Sequence, residues 1–119
     1  MSSVLLAEDE FLIRAVLVEA LGSAGFSCIE APTGKEALDV LAGAEPLAAA
    51  IVDLGLPDMP GLRVIEAAVK HRPGMPIIQC SGSHVSAPAI AGGKVHVFPK
   101  PYNPEELSNF VARLVTRGA

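Results

Sequence analysis

The stretch Leu47 to Leu54 is apolar at every position except Asp53. A strand with one face in water alternates apolar and polar side chains, whereas a strand covered on both faces need not, and that double burial belongs to parallel sheets flanked by helices. The segment therefore reads as an inner strand of an α/β sheet. Asp53 then falls at the C-terminal end of the strand, where a carboxylate has few structural reasons to be.

The rest of the chain fits the same architecture. Val4 to Ala7 is a short apolar run that stops at Glu8-Asp9-Glu10, and Phe11 to Leu21 follows with a helical pattern closed by Gly22 and Gly25. Phe26 to Ala31 reads as a second strand. Thr33 is an N-cap with Glu36 three residues on, a capping box opening the helix Ala37 to Leu41. After the turn-rich Gly55 to Gly61, the segment Leu62 to His71 places Val64, Ile65, Ala68 and Val69 on one helical face, and Pro73-Gly74 ends it. Pro76 to Cys80 is a fourth strand running into Ser81-Gly82-Ser83, and Val95 to Phe98 a fifth running into Pro99-Lys100-Pro101. Asn103 as N-cap, Pro104 at the first helical position and Glu105 and Glu106 behind it start a last helix, with Leu107, Phe110, Val111 and Leu114 inward. Strands alternating with helices call for an α/β fold with a doubly wound five-stranded parallel sheet and helices on both faces.

Composition removes several function classes. The chain has 119 residues, 9 Lys plus Arg against 13 Asp plus Glu, and a formal net charge of −4, so one domain is expected and the scattered basic residues form no nucleic-acid or anionic-membrane footprint. No apolar run approaches the ~20 residues of a bilayer span, and acids follow the first apolar run where a signal peptide would continue. A cytoplasmic location is expected. Cys28 and Cys80 lie in apolar segments without CxxC spacing and read as small buried hydrophobes. His71, His84 and His96 read as surface or loop residues without a role.

In an open parallel sheet the functional crevice lies beyond the C-terminal strand ends. Glu8 and Asp9, Asp53, Ser81 and Lys100 all fall there. Three converging carboxylates repel one another, and a hard divalent cation relieves that cost; Mg²⁺, which prefers a few carboxylates, water and phosphate oxygens, suits Glu8, Asp9 and Asp53. Lys100 opposite them would neutralise a phosphoryl oxygen and the Ser81 hydroxyl would bind another. Asp53 itself can act as nucleophile and give an aspartyl phosphate. A dinucleotide fold or a P-loop would need glycines after the first strand, where this chain has acids.

The motifs Val4 to Glu10, Val52-Asp53-Leu54-Gly55-Leu56-Pro57-Asp58-Met59-Pro60-Gly61, Cys80-Ser81-Gly82 and Phe98-Pro99-Lys100-Pro101-Tyr102 together closely resemble the response-regulator receiver domains of two-component signalling, over the whole chain. The resemblance implies the strand order 2-1-3-4-5 and makes Asp53 the phosphoacceptor. It makes Glu8, Asp9, Asp53 and the Gly55 carbonyl the Mg²⁺ ligands, Ser81 and Lys100 the groups that meet the phosphoryl oxygens, and the Lys100-Pro101 peptide cis. It implies a phosphoryl group taken from a histidine kinase or phosphotransfer protein, acyl-phosphate self-hydrolysis flanked by Gly55 and Ser83, and no turnover of an external substrate.

Two departures from the family stand out. Val97 occupies the position three residues before the lysine where the family carries Phe or Tyr, so the aromatic half of its usual switch is missing. Gly82 to Lys94, where the family places its fourth helix, holds Pro88, Gly92 and Gly93, so that helix is expected to be short or mobile. In the first helix Ile13, Val16, Leu17, Ala20 and Leu21 are assigned to the sheet, leaving Phe11, Ala15 and Val18 as an outward apolar stripe on which a kinase or phosphotransfer helix would pack. With Arg117-Gly118-Ala119 ending the chain, output to an unknown target by protein contact is expected, as signal, relay or phosphate sink. Two other readings stay open: a phosphate-independent binding module on the receiver fold, and a metal-dependent phosphohydrolase.

Overall fold

The computed structural model describes residues 2–81, 94–100 and 102–118. The elements run β1 Ser2–Ala7, α1 Phe11–Ser23, β2 Phe26–Ala31, α2 Gly34–Ala42, β3 Ala49–Asp53, α3 Gly61–His71, β4 Pro76–Ser81, β5 Lys94–Pro99 and α4 Pro104–Gly118. All strand pairs are parallel, in the order β2-β1-β3-β4-β5. That is the doubly wound sheet expected from the apolar runs. The short helix expected within 82–93, His84, Ser83 and the Lys100-Pro101 peptide lie outside the described residues.

Alternation along the inner strands divides the core in two. Leu5, Ala7, Ala50, Val52 and Ile77 pack with Ala37 and Leu41 of α2 and Val64, Ile65 and Ala68 of α3. Val4, Leu6, Ala49, Ile51, Ile78 and Cys80 pack with Leu17 and Leu21 of α1 and Leu107 and Val111 of α4. Every residue of β3 is buried, which is why the sequence there shows no polar alternation. β3 is shorter than the apolar run Leu47 to Leu54, since the Ala48 N–H bonds the Ser3 carbonyl before the strand begins and Leu54 leaves it after Asp53.

Local chemistry sets the helix ends. Thr33 Oγ1 accepts from the Glu36 N–H at 3.2 Å, and Asn103 Oδ1 accepts from Glu105 and Glu106 at 2.8 and 3.2 Å. Two further caps come from distant residues. Asp58, in the β3–α3 loop, accepts the Gly34 and Lys35 N–H groups at 2.7 and 3.0 Å, and these bonds hold its carboxyl below the usual range. Arg72, after α3, donates to the carbonyls of Val40, Leu41, Gly43 and Glu45 at the C-terminal end of α2.

The phase of α1 differs from the one read off the sequence. Val16, assigned to the sheet, is 49% exposed, whereas Val18, assigned outward, packs against the α1/α4 core. Arg14 is the cause: it takes an inward position in the i, i+3, i+4, i+7 row of Arg14, Leu17, Val18 and Leu21, so a charged residue occupies the face that periodicity reserves for apolar ones. The exposed apolar surface of α1 is thus Phe11, Leu12, Ala15 and Val16. His96 is likewise no loop residue: it sits half-buried in β5, edge-on to the Phe110 ring at 5.6 Å. Cys28 is half-buried rather than buried.

Candidate functional site

The β3 strand delivers Asp53 to the sheet's C-terminal edge, and the chain turns there with little room. A Cβ on Gly61 would lie 2.5 Å from the Asp53 carbonyl oxygen and 2.6 Å from the Leu54 Cα, so only glycine lets α3 start directly against the residue. The Leu54 N–H bonds the Cys80 carbonyl and the Gly61 N–H the Leu54 carbonyl, which fixes the loop that follows. Asp53 is 5% exposed, with Oδ1 accepting the Gly55 N–H at 3.0 Å and Oδ2 accepting Lys100 Nζ at 2.9 Å.

β1 and the turn after it supply the other acids. Glu8 is 2% exposed; its N–H bonds the Ala31 carbonyl and its Oε2 accepts the Glu10 N–H at 3.0 Å. Asp9 is exposed, and one carboxylate oxygen from each of Glu8, Asp9 and Asp53 lies within 4.8 Å of the others. Lys100 reaches the pair from beyond β5, where its N–H bonds the Ser81 carbonyl at 2.8 Å, and its ammonium stands 4.0 Å from Glu8 Oε1. Ser81 is buried at the end of β4, in register with Pro99. Asp9, Glu10, Asp53, Leu54, Gly55, Ser81 and Lys100 line one cleft of about 430 Å³.

All six site residues singled out from the sequence thus converge. Burial pushes the Glu8 carboxyl up to about 7, against the Glu10 N–H and with help from the Asp53 charge. Burial pulls the Lys100 ammonium down, but the hydrogen bond and charge of Asp53 together with Glu8 outweigh it and leave Lys100 raised and charged. Three carboxylates against one ammonium leave the cleft short of positive charge, and hard oxygen donors in that arrangement fit a hard divalent cation. Burial pushes the Cys28 and Cys80 thiols up to about 11 and about 12, so neither is a thiolate near neutrality.

Residues 4–112 match the response regulator receiver domain. The chain belongs to this family. The receiver domain is 30% identical over 112 residues to the sensor protein TorS of Escherichia coli, covering 91% of this chain and 12% of that protein. It is 30% identical over 114 residues to the DNA-binding transcriptional regulator NtrC of Klebsiella pneumoniae, covering 93% of this chain and 24% of that one. The chain therefore spans an eighth to a quarter of these two relatives. A CheY-like receiver domain from Methanospirillum hungatei superimposes with a TM-score of 0.86 at 27% identity, over 99% of this chain and 96% of that one. Receiver domains are two-component signalling modules rather than catalysts for external substrates, and this membership disfavours both the phosphate-independent module and the phosphohydrolase. Among the described residues no helix is long and apolar enough to cross a membrane.

Sequence reasoning missed three contributors to the site. Gly61 was visible only as a turn residue, Arg14 only as one of the basic residues scattered along the chain, and the adjacency of Lys100 to an apolar groove had no local signal. That groove, about 520 Å³, is lined by Leu12, Ile13, Val16, Leu17, Lys100, Tyr102 and Pro104. Val97 is half-buried in β5, in register with Gln79, while Phe98 packs on the opposite core against Tyr102 and Phe110.

Proposed function

We propose that this receiver domain is a Mg²⁺-dependent phosphoacceptor in which Asp53 takes a phosphoryl group from a phosphohistidine. The observation that carries the reading is the buried Asp53 carboxylate, held on both oxygens by Lys100 and the Gly55 N–H in a cleft shared with Asp9 and Ser81, with a Glu8 carboxylate oxygen within 4.8 Å. Glu8, Asp9, Asp53 and the Gly55 carbonyl would hold Mg²⁺, which when bound supplies positive charge to the phosphoryl oxygens. The Asp53 oxygen attacks phosphorus, the new P–O bond forms as the P–N bond breaks, and the electron pair leaves with the donor imidazole. Lys100 passes from Asp53 Oδ2 to a phosphoryl oxygen as charge moves outward, and the Ser81 hydroxyl binds another. Water attack on phosphorus later returns Asp53 and inorganic phosphate.

The donor approaches over α1. Phe11, Ala15 and Val18 were the stripe expected from the sequence; with Val18 turned inward, the surface beside the cleft is Phe11, Leu12, Ala15 and Val16. A kinase or phosphotransfer helix packing into the groove of Leu12, Val16 and Tyr102 meets Lys100, which lines both groove and cleft, so docking there brings the donor histidine to Asp53. The domain works in the cytoplasm and hands its signal to a protein target by contact.

Intact mass after incubation with acetyl phosphate tests the chemistry: one phosphoryl group is gained with Mg²⁺ and none in Asp53→Asn. Leu12→Asp tests the docking: labelling by acetyl phosphate is unchanged while transfer from a phosphorylated histidine kinase falls at least about tenfold, the loss of one central apolar anchor. Kinase transfer at the wild-type rate would overturn the docking face.

A further inference from the structure

We propose that Arg14 is a positioning residue for the acidic loop, setting the directions of the Glu8 and Asp9 carboxylates and with them the affinity for Mg²⁺. The inference rests on the reading of those acids as the residues that hold the metal. Arg14 lies one turn into α1, where its N–H donates to the Glu10 carbonyl at 2.9 Å. Its guanidinium turns back under the loop. Nη1 donates to the Glu8 carbonyl at 3.0 Å and to the Asp9 carbonyl at 3.5 Å, while Nε donates to Glu30 Oε1 on β2 at 2.9 Å. The Phe11 ring covers the group, with Cζ 5.7 Å from its centroid, and the Arg14 side chain is only 12% exposed.

One planar fork therefore grips the carbonyls of two consecutive residues whose carboxylates converge on Asp53, and braces them against the neighbouring strand. A peptide plane cannot rotate without redirecting the Cα–Cβ bonds on either side of it. For Glu8 the side chain has other restraints, through Glu10 and burial, but Asp9 is exposed, so its direction depends on the backbone that Arg14 holds. Groups that orient ligands in this way are worth about 10–100-fold in metal affinity where they have been removed from other sites. The contact with Glu30 alone would account for a simple clamp between α1 and β2. The two carbonyl contacts are what address the acids. Lysine cannot reproduce them together with the Glu30 bond, because its ammonium is a single point of charge on a flexible stem.

The test is Mg²⁺ binding by calorimetry at fixed ionic strength on wild type, Arg14→Lys and Glu30→Gln, with melting temperatures measured without metal. Arg14→Lys is expected to weaken Mg²⁺ binding about tenfold or more, and Glu30→Gln, which loses the brace but keeps the carbonyl contacts, no more than about twofold. Should Arg14→Lys not fold, Arg14→Gln, which keeps a planar donor, is read by the same criterion. Wild-type affinity in the Arg14 variant, whatever its melting temperature, would reduce Arg14 to a structural clamp and overturn the proposal. A wild type that binds no Mg²⁺ would overturn the reading of the site as well.

Discussion

Glu8 makes the site's electrostatics measurable through stability. Its carboxyl is raised from 4.5 to about 7 in the folded protein, chiefly by burial. Between those values the folded chain binds a proton that the unfolded chain releases, so stability is fully present below about pH 4.5 and is lost as pH rises through about 7. At about 1.4 kcal/mol per pH unit, the loss attributable to Glu8 amounts to about 3 kcal/mol, or roughly 10 °C in melting temperature for a domain of this size. Glu8→Gln removes the titrating group while keeping its shape. Urea unfolding followed by circular dichroism, without metal and from about pH 5 to pH 8, should show the wild type falling relative to Glu8→Gln by up to this amount, with histidine titrations common to both proteins cancelling in the difference. Saturating Mg²⁺ should reverse the wild-type trend, because a metal that binds carboxylates favours the ionised form. Parallel pH curves for the two proteins without metal would refute the reasoning.

Other perturbations have equally definite outcomes. Asp53→Asn removes a charge that raises Glu8, so without metal at about pH 8 it should be more stable by about 1 kcal/mol and show a smaller melting shift with Mg²⁺; equal shifts in both proteins would count against Asp53 as a ligand. Gln79 is 1% exposed and neither its Nε2 nor its Oε1 has a protein hydrogen-bond partner among the described residues, so Gln79→Met should stabilise by about 1 kcal/mol, read by urea midpoint. A lower midpoint would contradict this. Gly61→Ala forces the Asp53 and Leu54 backbone to move and should cost about 1–3 kcal/mol while slowing acetyl phosphate labelling; labelling at the wild-type rate would show that the close approach does not position Asp53.

The sequence was most informative where one residue's chemistry contradicted its surroundings. Asp53 ends an apolar strand, Glu8 and Asp9 interrupt the apolar run of β1, and a parallel sheet brings all such strand ends to one edge, so the cleft was legible before its geometry was. Caps supplied by adjacent residues, Thr33 and Asn103, were legible for the same local reason. Asp58 on the α2 N-terminus and Arg72 on its C-terminus were not, because their partners are 23 to 32 residues away and depend on how α2 and α3 pack. Arg14 misled the phase of α1: periodicity treats arginine as outward, yet its apolar stem and hydrogen-bonding head let it occupy an inward position once carbonyls and a carboxylate are there to receive it. Gly61 belongs with these, since a turn glycine and a glycine required by a close approach are written with the same letter.

The central claim is that Asp53, rather than either neighbouring acid, carries the phosphoryl group. Reduction of the acyl phosphate with borohydride after acetyl phosphate treatment in Mg²⁺ converts the modified aspartate to homoserine, and peptide mass mapping locates it. Homoserine at position 53 alone, absent when Mg²⁺ is chelated, is the result this account predicts. Reduction product at Asp9 or Glu8, or none anywhere while phosphate is incorporated, would contradict it.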